Sequence, residues 1–360
     1  MFIIDGHLDL GMNAMEWNRD LTQPLQTIRA REEGLTDKPD RGKNLISFEE
    51  LRKGNIGLVF ATQLARCTEH NGGLTGSGWY SPEQAWAQTQ GQLAWYKAME
   101  AKGEMRMIKT HEDLHNHIAL WNNGTPNNDK SIGYILTLEG ADSLIDISYV
   151  ERAYTYGLRA IGPGHYGPGR YANGTDATGH LNTAGKDLLK EMDRLNMILD
   201  ATHLNDDAFW DAMDLFSGVV WASHNNCRKI VTHNRQFSDA MIKTLIARDA
   251  VIGTAFDAWM IVPDWIRGKS LPEEKNCSLN AVINHIDHIC DLAGDSLHVA
   301  LGTDLDGGFG KEQCPYDLET IADLQKIPAL LQQRGYTTND IENVMHRNWI
   351  RVLERGLPAL

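Results

Sequence analysis

The chain has 360 residues, 42% hydrophobic and 23% charged, with a formal net charge of −14 at pH 7. That balance fits a soluble globular protein with a full core and argues against nucleic-acid binding through a broad basic surface. No apolar run is long enough to span a membrane, a strand expected from residue 2 leaves no room for a secretory leader, and five scattered cysteines without a CxxC pair read as reduced thiols in a cytoplasm.

Phe2, Ile3 and Ile4 open the chain as a short buried strand that ends at Asp5-Gly6 and leads into His7-Leu8-Asp9. Residues 11 to 45 are polar, without a strong period, and read as a long loop at the mouth of that strand. Gly57 to Gln63 is the second strand. Ser81-Pro82-Glu83 starts a helix with a serine cap, proline at the first position and acid in the first turn. Met105 to Ile108 is a weak strand before a helix capped by Thr110. From Ile132 strands and helices alternate: strands near 134, 158, 197, 219, 251 and 298, helices between them, and two or three further helices from about 318. With the strands at 2 and 57 this makes eight βα units, which predicts an α/β fold of the (β/α)₈ TIM-barrel type in one domain over 1–360, with extra C-terminal helices packed on it.

Alternate residues of an extended segment point to one side, so His7 and Asp9 project together. Glu139, His165, His203, His224 and Asp304 each fall at the C-terminal end of a different expected strand. In a barrel those ends converge on one mouth. Imidazoles and carboxylates gathered there suit two divalent metals with Glu139 as a bridge, zinc first and manganese, iron or cobalt as substitutes. His111, His115 and His117 read as solvated helix residues, and His285 and His288 as surface or packing residues. The glycines of 162–169 form a loop without a GxxxxGK[ST] phosphate motif.

Six anchors in order, Asp5-Gly6-His7-Leu8-Asp9, Leu138-Glu139-Gly140-Ala141-Asp142, Gly157-Leu158-Arg159 through His165, Asp200-Ala201-Thr202-His203, Ala222-Ser223-His224-Asn225 and Gly302-Thr303-Asp304-Leu305-Asp306-Gly307, resemble the membrane (renal) dipeptidase family, the M19 peptidases of the metal-dependent amidohydrolase superfamily. Asn348-Trp349-Ile350-Arg351-Val352 resembles that family's final helix. The resemblance implies His7 and Asp9 on one zinc, His203 and His224 on the other, and Glu139 bridging them. It implies His165 as the histidine that steadies the tetrahedral intermediate, Arg235 as the clamp on the substrate's carboxylate, and Asp304 as the acid/base. Asp306 then reads as structural. Phe256 aligns with a tyrosine of the mammalian enzyme and is with Asp257 and Trp259 a substrate-side candidate, Asp257 and Trp259 then standing near the mouth. The implied activity is hydrolysis of L,L- or L,D-dipeptides by a hydroxide bridging two zinc ions, in a homodimer without a membrane anchor.

The alternatives are a hydrolase of another small amide, lactam or N-acyl amino acid, and a non-catalytic barrel that binds metal. A binding scaffold has no need of a base such as Asp304 beside the metals.

Overall fold

A computed structural model describes residues 1–68 and 78–359. All eight expected strands are present: β1 (Ile3–Leu8), β2 (Ile56–Leu64), β3 (Ile132–Glu139), β4 (Leu158–Gly162), β5 (Ile198–Asp200), β6 (Val220–Trp221), β7 (Ile252–Thr254) and β8 (Val299–Leu301). The first six form one parallel sheet in chain order, and β7 and β8 pair in parallel. The bridge Ala222–Ile252 follows on from β6, with the Gly253 N–H donating to the Ala222 carbonyl (2.8 Å). Beyond β8 the Asp304 N–H donates to the carbonyl of His7 (3.2 Å). The chain is thus an α/β fold on a curled parallel sheet, with helices in most of the intervals between strands. The weak segment is a short strand, Met105–Met107, paired with β3.

β1 does not end at Asp5-Gly6 but runs on through them to Leu8. The Asp5 carboxylate is fully buried and accepts from the Thr303 N–H (2.8 Å), the Thr303 hydroxyl (2.6 Å) and the His7 N–H (3.2 Å). It ties the end of β8 to β1 across nearly 300 residues of sequence. Gly6 serves a close approach rather than a turn. A Cβ there would sit 2.4 Å from Trp349 of the helix Asn348–Gly356 and 2.9 Å from the carbonyl of Ser223. Trp349 is fully buried beneath Phe60 and Trp221, with ring centroids 4.7 and 5.9 Å away, and donates from its indole to the Leu301 carbonyl (2.8 Å). The final helix therefore packs into the sheet's core.

The helices start as their caps dictate. Ser81 caps Pro82–Ala101 and Thr110 caps His111–Trp121, each in a reciprocal capping box. The long loop expected over 11–45 carries two helices instead, Leu10–Met15 and Leu25–Arg31. Each buries only a few apolar residues, Leu10 and Met12 in the first and Leu25 and Ile28 in the second, too short a stripe to show a period, and the segments beside them are held by a buried ionic cluster. Arg19 donates to Glu32 (2.9 Å) and Asn13 (2.7 Å) and pairs with Asp40 (2.9 Å). Asp306 takes the backbone N–H groups of Leu45 and Ile46 (2.9 and 3.0 Å), which is the structural role expected of it. No helix among the described residues is long and apolar enough to cross a membrane.

Candidate active site

The C-terminal strand ends bring His7, Asp9, Glu139, His203, His224 and Asp304 into one buried cluster. Three groups of side chains each place their donor atoms within 4.8 Å of one another: His7 with Asp9 and Glu139; Glu139 with His203 and His224; and His7 with His224 and Asp304. Glu139 is common to the first two. Its Oε1 lies 3.1 Å from His203 Nε2 and 3.3 Å from His224 Nε2, and its Oε2 lies 3.7 Å from His7 Nε2.

These distances test the fit of a metal. Donors sharing a tetrahedral zinc at its usual bond lengths stand roughly 3.3–3.6 Å apart, which is near the spacing of this cluster. Among the described residues His7 Nε2 and Asp9 Oδ1 are buried without a hydrogen-bond partner. His203 Nε2 and His224 Nε2 face each other at 3.2 Å. Buried polar atoms normally find partners, so orphaned donors aimed at a common point are the signature of a cation site. Each of these imidazoles is held from behind at Nδ1 by a hydroxyl: Thr175 on His203 (3.0 Å), Ser223 on His224 (2.9 Å), and Thr62 and Ser223 on His7 (3.3 and 3.5 Å). That leaves every Nε2 free for the centre. The donor set fits a divalent metal centre.

The electrostatics agree. Burial holds His165, His203 and His224 well below the usual imidazole range, with Arg235 and neighbouring histidines adding to the effect, so all three are neutral and carry a free lone pair. Burial alone would lower His7 too, but Glu139, Asp9 and Asp304 outweigh it and lift it to about 10. Burial raises Glu139 to about 8 against the pull of His7, and raises Asp304 well above the carboxylate range. A cluster so rich in carboxylates recruits positive charge. His203 and Asp304 also sit in the left-handed backbone region, at φ 68° and 58°, a strain that accumulates at functional sites.

A cavity opens over the cluster. His165 lines it, with Nε2 3.8 Å from Glu139 Oε1. Arg235 lines it too, 3% exposed, donating from Nη1 to the Asn225 side chain and from Nη2 to the His224 carbonyl (2.8 Å), while Nε has no partner among the described residues. Asp257 and Trp259 line the same cavity, but Phe256 does not. Phe256 is fully buried, its N–H bonded to the Thr303 carbonyl (2.9 Å): the chain turns its side chain into the core, while the next residue, Asp257, faces the pocket. Asp257 is held by Gln313 (2.8 Å), Trp259 (2.6 Å) and Arg267 (2.9 Å), and burial raises it to about 6. His233 stands one layer back, its Nδ1 accepting from the Arg235 N–H (3.0 Å).

Among the other histidines, His117 is not solvated. It is buried, with Nε2 2.7 Å from the Gly57 carbonyl, and burial lowers it to about 4. His285 is a packing residue as expected: Nδ1 accepts from the Cys227 N–H (3.1 Å) and Nε2 meets the Ile261 carbonyl (3.0 Å). Sequence reasoning missed the hydroxyls of Thr62, Thr175 and Ser223, and the pocket residues Glu16, Arg66 and Arg267. Only Ser223, next to His224, carried a local signal.

A family model described as membrane dipeptidase (peptidase family M19) matches residues 1–356. An uncharacterized protein in the pqqA 5′ region of Klebsiella pneumoniae is 28% identical over 235 residues, 63% of this chain and 83% of that protein. Dipeptidase tcpJ of Claviceps purpurea is 31% identical over 176 residues, 48% of this chain but 38% of that protein. Among solved structures, a metallopeptidase from Rhodobacter sphaeroides liganded with a phosphinate mimic of the dipeptide L-Ala-D-Ala superposes with a TM-score of 0.76 at 22% identity, covering 99% of each chain. The probable dipeptidase PvdM from Pseudomonas aeruginosa does so with a TM-score of 0.75 at 15% identity, covering 99% of this chain and 95% of that one. At such identities the structural likeness speaks for the fold.

Proposed function

The chain belongs to the membrane dipeptidase family, peptidase family M19, and from that premise we propose that it hydrolyses the amide bond of L,L- or L,D-dipeptides with two divalent metal ions, zinc foremost. The observation that carries this reading is the convergence of two potential ligand triads on the shared carboxylate of Glu139. His7 and Asp9 would hold one ion and His203 and His224 the other, with Glu139 available to both. Bound there, such ions would supply Lewis-acid activation of a water and of the scissile carbonyl.

The chain's own residues do the rest. Asp304, with Oδ1 3.8 Å from His7 Nε2, takes the proton of the attacking water and returns it to the leaving amine. His165 faces the same point and steadies the developing oxyanion. Arg235 offers a planar fork to the free carboxylate of the C-terminal residue, and its backing by neutral acceptors keeps the charge available to a ligand. The eight strands then make a (β/α)₈ barrel in one domain over 1–360. The five free cysteines suit the cytoplasm, and the family resemblance suggests a homodimer.

The deciding experiment measures amino-acid release from L,L- and L,D-dipeptides by zinc-loaded and chelated protein. Metal-dependent release of the C-terminal residue supports the proposal. No turnover with metal bound moves the substrate to another amide, a lactam or an N-acyl amino acid. Arg235→Ala is expected to lose at least about tenfold more kcat/KM on free dipeptides than on C-terminally amidated ones. An equal loss on both would remove Arg235 from the clamp.

A further inference from the structure

Three arginines line the cavity, and they differ in what neutralises them. Arg267 is paired with Asp257 (2.9 Å) and lies over the ring of Trp259 (5.3 Å). Arg235 is backed only by the Asn225 amide oxygen and a carbonyl. Arg66, just past β2 in the short strand Arg66–Cys67, donates from Nη2 to the carbonyl of Tyr166 (2.7 Å). It has no carboxylate at ion-pair distance among the described residues. Its acidic neighbours are Asp142 and Glu139. The Asp142 carboxylate is occupied by the backbone N–H groups of Arg170 (2.8 Å) and Cys67 (3.1 Å). Glu139 belongs to the metal cluster.

The charge of that cluster does not account for Arg66 either. Two divalent ions more than offset the carboxylates of Asp9, Glu139 and Asp304, so no excess of negative charge is left at the centre for a half-buried guanidinium to balance. A desolvated cation held by one neutral acceptor keeps most of its donors for something else. The Tyr166 carbonyl fixes the plane of the fork, and the loop of Tyr166 fixes the carbonyl: the Gly167 N–H donates to the Thr175 carbonyl (2.7 Å) and the Thr175 N–H to that of His165 (2.8 Å). Arg66 is therefore oriented as well as charged, and it shares that loop with His165.

A dipeptide backbone brings one free carboxylate, and among the described residues the cavity holds two arginines without an acidic partner. We propose that Arg66 is a specificity-determining residue that binds a second carboxylate, carried on a side chain, so that the preferred substrates are dipeptides containing glutamate or aspartate. This rests on the dipeptidase reading above. Glu16, also in the cavity, accepts from Gln88 (3.1 Å) and feels the charge of Lys38. A basic side chain held by Glu16 is the competing outcome.

The test compares kcat/KM on Ala-Glu against Ala-Gln and on Glu-Ala against Gln-Ala, with Lys-containing pairs as the rival. At one of the two positions the acid is expected to beat its amide by at least about tenfold, since a site built for a polar group rejects the analogue that leaves it unpaired. Arg66→Gln should bring that ratio close to one, and Arg66→Lys should restore part of it, neither of which a merely structural arginine would do. Ratios near one in the wild type, a ratio that survives Arg66→Gln, or a preference for lysine would each overturn the proposal. If no dipeptide is turned over at all, the dipeptidase reading fails separately. Calorimetric titration of the metal-loaded protein with the same peptides then decides the point, and equal affinity for acid and amide overturns it.

Discussion

At the strand ends, His7, Asp9, Glu139, His203 and His224 are buried with donor atoms turned on a common point, and His7 Nε2 and Asp9 Oδ1 have no partner. In the segment from residue 11 to 45, Arg19, Glu32 and Asp40 are buried just as deeply. There the protein satisfies its own charges. Glu32 receives Arg19, Arg41 and the Gly42 N–H, and Asp40 receives Arg19 and the Trp17 indole. The same residue types serve two ends. Charge matched inside the chain fixes a segment in place. Charge left unmatched, and held there by the strands behind it, makes a site for something from outside.

The sharpest way to break this contrast is at the residue common to both triads. Glu139→Gln keeps the size and removes the charge. It should cut bound metal from about two ions per chain to one or none and lower dipeptide hydrolysis by about 10³-fold or more, as expected when both ions lose their shared ligand. Elemental analysis of dialysed protein beside the release assay checks it. Two ions retained at wild-type affinity would mean that Glu139 is not the bridge.

The opposite cluster answers differently. Arg19→Ala leaves Glu32 and Asp40 buried with less compensation, which costs roughly 3–5 kcal/mol of stability, read by urea unfolding. Metal stoichiometry should stay as in the wild type, because no residue of the cluster faces the centre. A loss of metal at unchanged stability would show that the link between the two regions, Arg19 to Asn13 (2.7 Å) and Asn13 to the Asp9 carbonyl (3.0 Å), carries orientation to the centre.

The two regions also differ in how far the sequence discloses them. His7, Glu139, His203, His224 and Asp304 are legible because each follows an apolar run, and a strand end is a position that a sequence pattern fixes. The ionic cluster is not legible, because its partners are set by tertiary approach. Nothing local says that Leu45 and Ile46 donate to Asp306, some 260 residues away, or that two helices as short as Leu10–Met15 and Leu25–Arg31 interrupt the segment. Asp5-Gly6 misleads for the same reason. The pair suggests a turn, but the glycine is demanded by Trp349 and the aspartate by Thr303, both from the far end of the chain. Phe256 shows the limit of alignment: the resemblance makes it a substrate-side candidate, and the direction of its side chain puts it in the core.

His285 supplies a smaller effect, outside both regions. It is neutral, accepting at Nδ1 from Cys227, and burial lowers it from the usual 6.5 to about 4. A histidine whose native value is lowered takes its proton more readily in the unfolded chain, so its contribution is full above about pH 6.5 and is lost as pH falls towards 4. The stability advantage of wild type over His285→Gln should therefore shrink by on the order of 3 kcal/mol across that window. The comparison with the variant is needed because Asp5 and Asp257, both raised to about 6, act in the opposite sense. A constant difference between the two proteins would show that His285 stays in one protonation state throughout.

The finest test concerns what the protein contributes at a site whose charge it leaves unmatched. His203 occupies the left-handed region, and its ring is fixed at Nδ1 by the hydroxyl of Thr175 (3.0 Å). Thr175→Val keeps the shape of that residue and removes the hydrogen bond. If orientation is the contribution, affinity for the ion held by His203 and His224 should fall by about 10–100-fold in chelator competition, with unfolding stability of the metal-free protein near that of the wild type. Thr62→Val should do less, because His7 lies 3.3 Å from Thr62 and keeps a second hydroxyl at Ser223, 3.5 Å away. Equal affinity in Thr175→Val and wild type would assign the hydroxyl to packing. The strand ends alone would then hold the imidazoles in place, and the contrast with the ionic cluster would rest on backbone geometry rather than on hydrogen bonds behind the ligands.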